Sequence, residues 1–143
     1  SWTDFVGDEY KAFSGTAVYT TTINKVPVAD VIKLNLGTVA ENASVYLNGE
    51  YIGTVIDSPY QLYIPAEKFK GQDELVVRVA NSMANRIAYM DKKGVDWKIF
   101  YNVNMSARKK ENVKNGIFDA SDWEPKSSGL LGPVTLTPAM VKQ

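Results

Sequence analysis

Between Val45 and Val55 the chain reads VYLNGEYIGTV, two alternating apolar runs joined by Asn48-Gly49. This stretch constrains the fold more than any other. A two-residue type I′ turn needs positive φ at both central positions, which Asn and Gly tolerate best, and it fixes the strand register on either side. The expected partners are Leu47 with Glu50, Tyr46 with Tyr51 and Val45 with Ile52. Val45, Leu47 and Ile52 then share a core-facing side, and Tyr46 and Tyr51 pair on the other.

Period-two alternation recurs along the chain. In DVIKLNL (30–36), Ile32, Leu34 and Leu36 share a face opposite Lys33 and Asn35. In ELVVRVA (74–80), Leu75, Val77 and Val79 oppose Arg78. In YQLYI (60–64), Tyr60, Leu62 and Ile64 share a face. GTAVYTTTI (15–23) carries the Thr, Val and Tyr that suit a pleated surface, and PVTLT (133–137) gives a last short strand. The one helical signal is IPAEKFKG (64–71), with Pro near its start and Gly after its end, enough for one or two turns. Turn residues every 8 to 12 positions predict an all-β fold, a single antiparallel β-sandwich of the jelly-roll type. The 143 residues fit one domain, 1–143. Within it, 91–128 forms a long irregular excursion with little periodicity, and loops of that length are often functional.

Composition narrows the chemistry. Sixteen Lys and Arg balance sixteen Asp and Glu, so no basic excess marks a nucleic-acid partner. No run of about 18 apolar residues could cross a membrane as a helix. The chain has neither Cys nor His, which excludes disulfides, thiolate metal sites, a cysteine nucleophile and a Ser-His pair. No P-loop, dinucleotide fingerprint or GxSxG is present. The N-terminus lacks a Met and the pattern of a signal peptide, as expected of a processed chain or an excised domain.

Four segments taken in order carry a resemblance: SGTAVYTTTI; LNLGTVAENASVYLNGEYIGTVIDSPYQLYIP; KGQDELVVRVANSMANR; and SGLLGPVTL. Their order and spacing, from about Ser14 to Leu136, resemble the sugar-binding jelly-roll domain of family 2 glycoside hydrolases. They are also similar to the accessory domain of family 106 rhamnosidases and neighbouring Bacteroidetes enzymes. The resemblance implies a galactose-binding-like sandwich beside a separate catalytic barrel, in a periplasmic or secreted parent enzyme that degrades polysaccharide. The chain is too short to hold that barrel. The family's Asn-Glu-Pro acid/base tripeptide is missing; Trp123-Glu124-Pro125 puts Trp where Asn would stand. No catalytic residue is assigned.

The expected partners are therefore a carbohydrate and the parent's catalytic domain, and the expected role is a non-catalytic binding module. Sugar binding needs aromatic faces beside a few placed polar groups. The candidates are Trp97, Tyr101 and Trp123 in the excursion, Asn85, Arg86 and Asp91 near its start, and Tyr46 and Tyr51 on the hairpin. Against this, a Trp in a sandwich most often packs, an exposed Arg most often pairs weakly with an acid, and Arg108-Lys109-Lys110 reads as a solvated loop. Asp119 and Asp122 could hold a structural Ca²⁺, which prefers oxygen ligands; no other cofactor is expected. The alternative role is an interface domain that docks the catalytic domain without touching sugar, and a third is a small autonomous glycosidase.

Overall fold

The computed structural model describes residues 1–99 and 109–139. The chain divides into two compact units. One comprises Ser1, Gly15–Asn81 and Ser128–Gln143; the other comprises Trp2–Ser14 and Ser82–Ser127.

The first unit is the all-β sandwich. Its strands are β1 (Thr16–Ile23), β2 (Val31–Asn35), β3 (Thr38–Ala40), β4 (Asn42–Leu47), β5 (Glu50–Val55), β6 (Gln61–Pro65) and β7 (Asp73–Ala80). After β8 (Val113–Lys114) and β9 (Ile117–Phe118), which belong to the second unit, β10 (Gly129–Gly132) and β11 (Thr135–Pro138) complete the sandwich. A four-stranded sheet runs β1-β7-β4-β5, a three-stranded sheet runs β11-β2-β6, and β10 pairs with β3. All these strand pairings are antiparallel. The alternation read from the sequence is the alternation observed. Leu75, Val77 and Val79 of β7 point inward, as do Ile32 and Leu34 of β2. Leu34, Leu75, Val77 and Val79 meet Val45, Leu47 and Ile64 in one core drawn from both sheets. Truncating a core leucine such as Leu34 to Ala typically costs about 2–5 kcal/mol.

The 48–49 hairpin forms as expected near its turn. Asn48 and Gly49 have φ of 52° and 82°, Leu47 faces Glu50 and Tyr46 faces Tyr51. Beyond that the expected register fails: Val45 faces Gly53, not Ile52. A bulge puts an extra residue into β5, so two residues there oppose one on β4. Ile52 nevertheless packs against the core. The 64–71 helical signal yields a single 3₁₀ turn, Ala66–Lys68.

Two further contacts explain why the motif residues stand where they do. Asp73, 1 % exposed, accepts from Asn48 Nδ2 at 2.7 Å, Lys70 N at 2.8 Å and Gly71 N at 3.0 Å. Asn48 Oδ1 in turn accepts from Glu74 N at 2.9 Å. The hairpin turn and the start of β7 are thus tied through one buried carboxylate. Gly37 (φ 68°) lies against Gly132, and a Cβ on Gly37 would sit 2.3 Å from the Gly132 carbonyl carbon. Glycine is required there both by φ and by space.

Among the described residues the second unit holds two α-helices, α1 (Asp8–Ala12) and α2 (Ala84–Lys92), and a small hairpin of β8 (Val113–Lys114) and β9 (Ile117–Phe118). α2 ends in a Schellman motif. Gly94 takes φ 67°, Val95 N–H donates to Met90 O and Gly94 N–H donates to Asp91 O. The hairpin turns through Asn115 (φ 52°) and Gly116 (φ 78°). Among the described residues the unit's core cluster is small: Ala88, Phe118 and Ala120, with Ile87, Trp97 and Trp123 against it.

Candidate functional site

A cleft of about 490 Å³ lies wholly within the second unit. Helical periodicity builds it. Asn85, Ala88, Tyr89 and Lys92 recur at i, i+3, i+4 and i+7 on one face of α2, and Asp8, Lys11 and Ala12 repeat the spacing on α1. The small side chains of Ala12 and Ala88 and the buried amide of Asn85 form the floor. Half-buried Tyr89 and Trp123 form aromatic walls. Charged groups rim it: Asp8, Lys11, Lys92 and Lys93 from the helices, Asp122 and Glu124 from the segment around Trp123.

The cleft is held open by contacts around its lining. Asn85 Nδ2 donates to Lys126 O at 2.8 Å, and Asn85 Oδ1 accepts from Lys126 N at 2.8 Å, pinning 123–126 beside α2. Trp123 Nε1 donates to Asn112 Oδ1 at 2.9 Å, and its ring meets Phe118 edge-on at 5.8 Å. The indole is thereby fixed in orientation with its N–H already used. What it can offer a ligand is ring surface.

The candidate residues fall into distinct roles. Asn85 and Trp123 line the cleft. Asp91 does not: its side chain is 1 % exposed. Oδ1 accepts from Trp97 Nε1 at 2.7 Å and Lys98 Nζ at 2.6 Å, and Oδ2 accepts from Ala120 N at 2.8 Å. Asp91 and Trp97 are therefore joined as internal bracing, and Lys98 lies over the Trp97 ring at 5.3 Å. Arg86 is exposed and stacks over Tyr89, its Cζ 5.7 Å from the ring centre. Tyr101 lies outside the described residues.

Tyr46 and Tyr51 belong to the first unit, on the outward face of the four-stranded sheet. Their rings are 5.5 Å apart and tilted. Arg78 Cζ sits 4.9 Å over Tyr46, and the Tyr51 hydroxyl lies 2.9 Å from Thr54 Oγ1. The pair is thus a supported cross-strand contact with polar company, and Tyr46 lines a shallow open depression with Arg78, Ser44 and Thr16.

Asp119 and Asp122 already have a cation partner. Lys114 Nζ lies 3.4 Å from Asp119 and 3.0 Å from Asp122. Hydrogen bonding to Asp122 foremost raises the Lys114 pKa. The Ser121 hydroxyl, with its backbone N–H and Lys114, holds Asp119 below the usual carboxylate range against the opposing effect of burial. Among the described residues no group of three or more acidic side chains could hold a metal ion.

The sequence reading missed Tyr89, Lys11 and Lys92. The signal for Tyr89 and Lys92 was present in the helical spacing of ANRIAYMDK with Lys in the last turn and Gly94 just beyond; Lys11 sits in the five-residue α1, too short to display a period.

No protein-family model matches the chain. A protein of Formosa agariphila provisionally named a beta-glucuronidase is 32% identical over 151 residues, an alignment covering 95% of this chain and 13% of that protein. The solved rhamnosidase from Novosphingobium sp. PP1Y superposes with a TM-score of 0.73 at 28% identity, over 94% of this chain and 12% of the enzyme. Over nearly its whole length, then, the chain is similar to a small segment of much longer glycoside hydrolases.

Proposed function

We propose that the chain is a non-catalytic accessory module of a larger glycoside hydrolase and that it binds carbohydrate in the Tyr89–Trp123 cleft. The observation that carries this reading is the cleft itself: a floor of small side chains, two aromatic walls and a polar rim. That combination suits a saccharide, whose C–H faces pack on rings while its hydroxyls seek polar groups. No bond is made or broken there. Glycoside hydrolysis needs two carboxylates about 5–10 Å apart, one of them kept protonated, and a buried apolar setting is what keeps such a proton. The rim acids Asp8 and Asp122 are exposed and ion-paired to Lys93 and Lys114, and the third, Glu124, is exposed as well. Catalysis then belongs to the rest of the parent, which on this reading works in the periplasm or outside the cell.

The test is calorimetric titration of the chain with plant and algal oligosaccharides. Saturable binding is expected, weakened at least tenfold in Tyr89→Ala and Trp123→Ala. Circular dichroism checks that each variant is folded. Unchanged affinity in both folded variants, or no binding to any saccharide, would overturn the reading.

A second reading, docking against the parent's catalytic domain, is favoured by one observation. Phe5 and Val6 of the N-terminal segment are 59 % and 96 % exposed, and Tyr10 and Phe13 are also exposed. Contiguous apolar side chains of this kind mark contact surfaces. Binding of the chain to the separately expressed remainder of the parent, lost in Phe5→Ser/Tyr10→Ser, would support docking.

A further inference from the structure

We infer that the cleft selects saccharides carrying an oxyanion, a uronate carboxylate or a sulfate ester, with Lys11 and Lys92 as the residues that recognise the charge; this rests on the carbohydrate reading above. The argument is one of unmatched charge. Of the rim groups, Lys93 is paired with Asp8 at 3.2 Å, and Asp122 is paired with Lys114 at 3.0 Å. Lys11 and Lys92 line the same cleft, yet among the described residues neither has an acidic partner. Glu124 is the remaining rim acid, also without an ion pair among those residues. Two unpaired ammonium groups thus face one unpaired carboxylate.

Placement sharpens the point. Lys92 stands one turn beyond Tyr89 on the cleft-facing side of α2, and Lys11 neighbours Ala12 of the floor. An anion over the floor could be approached by both ammonium groups while the sugar ring lies against Tyr89 or Trp123. Glu124, on the segment with Trp123, is then an acceptor for sugar hydroxyls. The lining as a whole balances three lysines with three acids, so the attraction comes from the two lysines without acidic partners, and an oxyanion is the species that pairs with them.

The experiment compares three probes on the intact chain at low salt by calorimetry: trigalacturonate, a sulfated carrageenan oligosaccharide and neutral cellotriose. At least one anionic probe is expected to bind tenfold or more tightly than the neutral one. The anionic probe that binds more tightly identifies the oxyanion. The advantage should shrink with added salt and fall to within twofold in Lys11→Gln/Lys92→Gln. Both lysines are exposed, so that variant keeps the wild-type unfolding temperature. Equal binding of all three probes, or an anionic preference untouched in the double variant, would overturn the charge selection and leave the carbohydrate reading standing. Failure of all three, and of the wider saccharide panel, would remove both.

Discussion

Asp73 shows how one residue can fix a turn that the local sequence only permits. Burial by itself would raise its pKa. The hydrogen bond from Asn48, those from the Lys70 and Gly71 backbone, and the nearby Lys70 charge outweigh burial and hold it below the ordinary carboxylate value. A group whose folded pKa is depressed stabilises the fold fully above its unfolded pKa, about 3.9. That contribution is lost as pH falls through the lower, folded value. Asp73→Asn should therefore cost about 1–3 kcal/mol at pH 7, because one of the three donors loses its acceptor. The gap between wild type and variant should narrow below about pH 4. Urea unfolding at pH 7 and pH 3 measures it; a gap that widens in acid would contradict the account. Gly37 makes the complementary point about space. Gly37→Ala forces a Cβ to 2.3 Å from the Gly132 backbone at φ 68°. The left-handed conformation alone costs roughly 1–2 kcal/mol, and moving β10 away adds to it. A variant within 0.5 kcal/mol of wild type, the usual range for surface changes, would refute that.

At the scale of elements, legibility followed length. β2, β6 and β7 were readable because each alternates over five residues or more with one face in the core. The Asn115-Gly116 turn carries the same signal as Asn48-Gly49, but its arms are two residues each, too short to display a period. The β5 bulge was unreadable for another reason. A period-two argument assumes one residue opposite one, and EYIGTV gives no local sign that β4 will be answered by an extra residue. α2 was hidden by its neighbours. Its nine residues sit in a polar, aperiodic stretch, and its amphipathic face is partly alanine and asparagine because it floors a cleft. The cleft was correspondingly half legible: Trp123 and Asn85 were recognisable by type, Tyr89 and Lys92 only by helical spacing, and Lys11 by neither. Gly94→Ala tests the helix end. A Cβ there meets open space, so the penalty is conformational alone, about 1–2 kcal/mol. It should appear as a lowered unfolding temperature, and no change would mean that α2 does not depend on its Schellman cap.

For the whole chain, the distribution of buried side chains sets the order in which regions open. The first unit buries twelve apolar residues in one core, with β7 and β4 hydrogen-bonded on both edges. Among the described residues the second unit's core cluster is Ala88, Phe118 and Ala120, Trp2 and Ala12 are its other buried apolar side chains, and its α-helices span five and nine residues. Burying a large apolar side chain contributes about 1.5–3 kcal/mol, and helices this short owe their stability to packing more than to propensity. Local opening should therefore need far less free energy in α1, α2 and β8–β9 than in the central strands. Amide hydrogen exchange followed by mass spectrometry should show peptides covering β4 and β7 exchanging slowest, and those covering 84–92 and 113–118 exchanging faster by a factor of a hundred or more. Uniform protection would mean that the second unit draws stability from something other than its own core. A cleft built on the weaker unit would also gain most from occupancy, because ligand binding stabilises only the state that binds. Protection of 84–92 should accordingly rise with a bound saccharide while that of β4 and β7 stays fixed, and a rise confined to β4 and β7 would move the binding site to the sheet that carries Tyr46 and Tyr51.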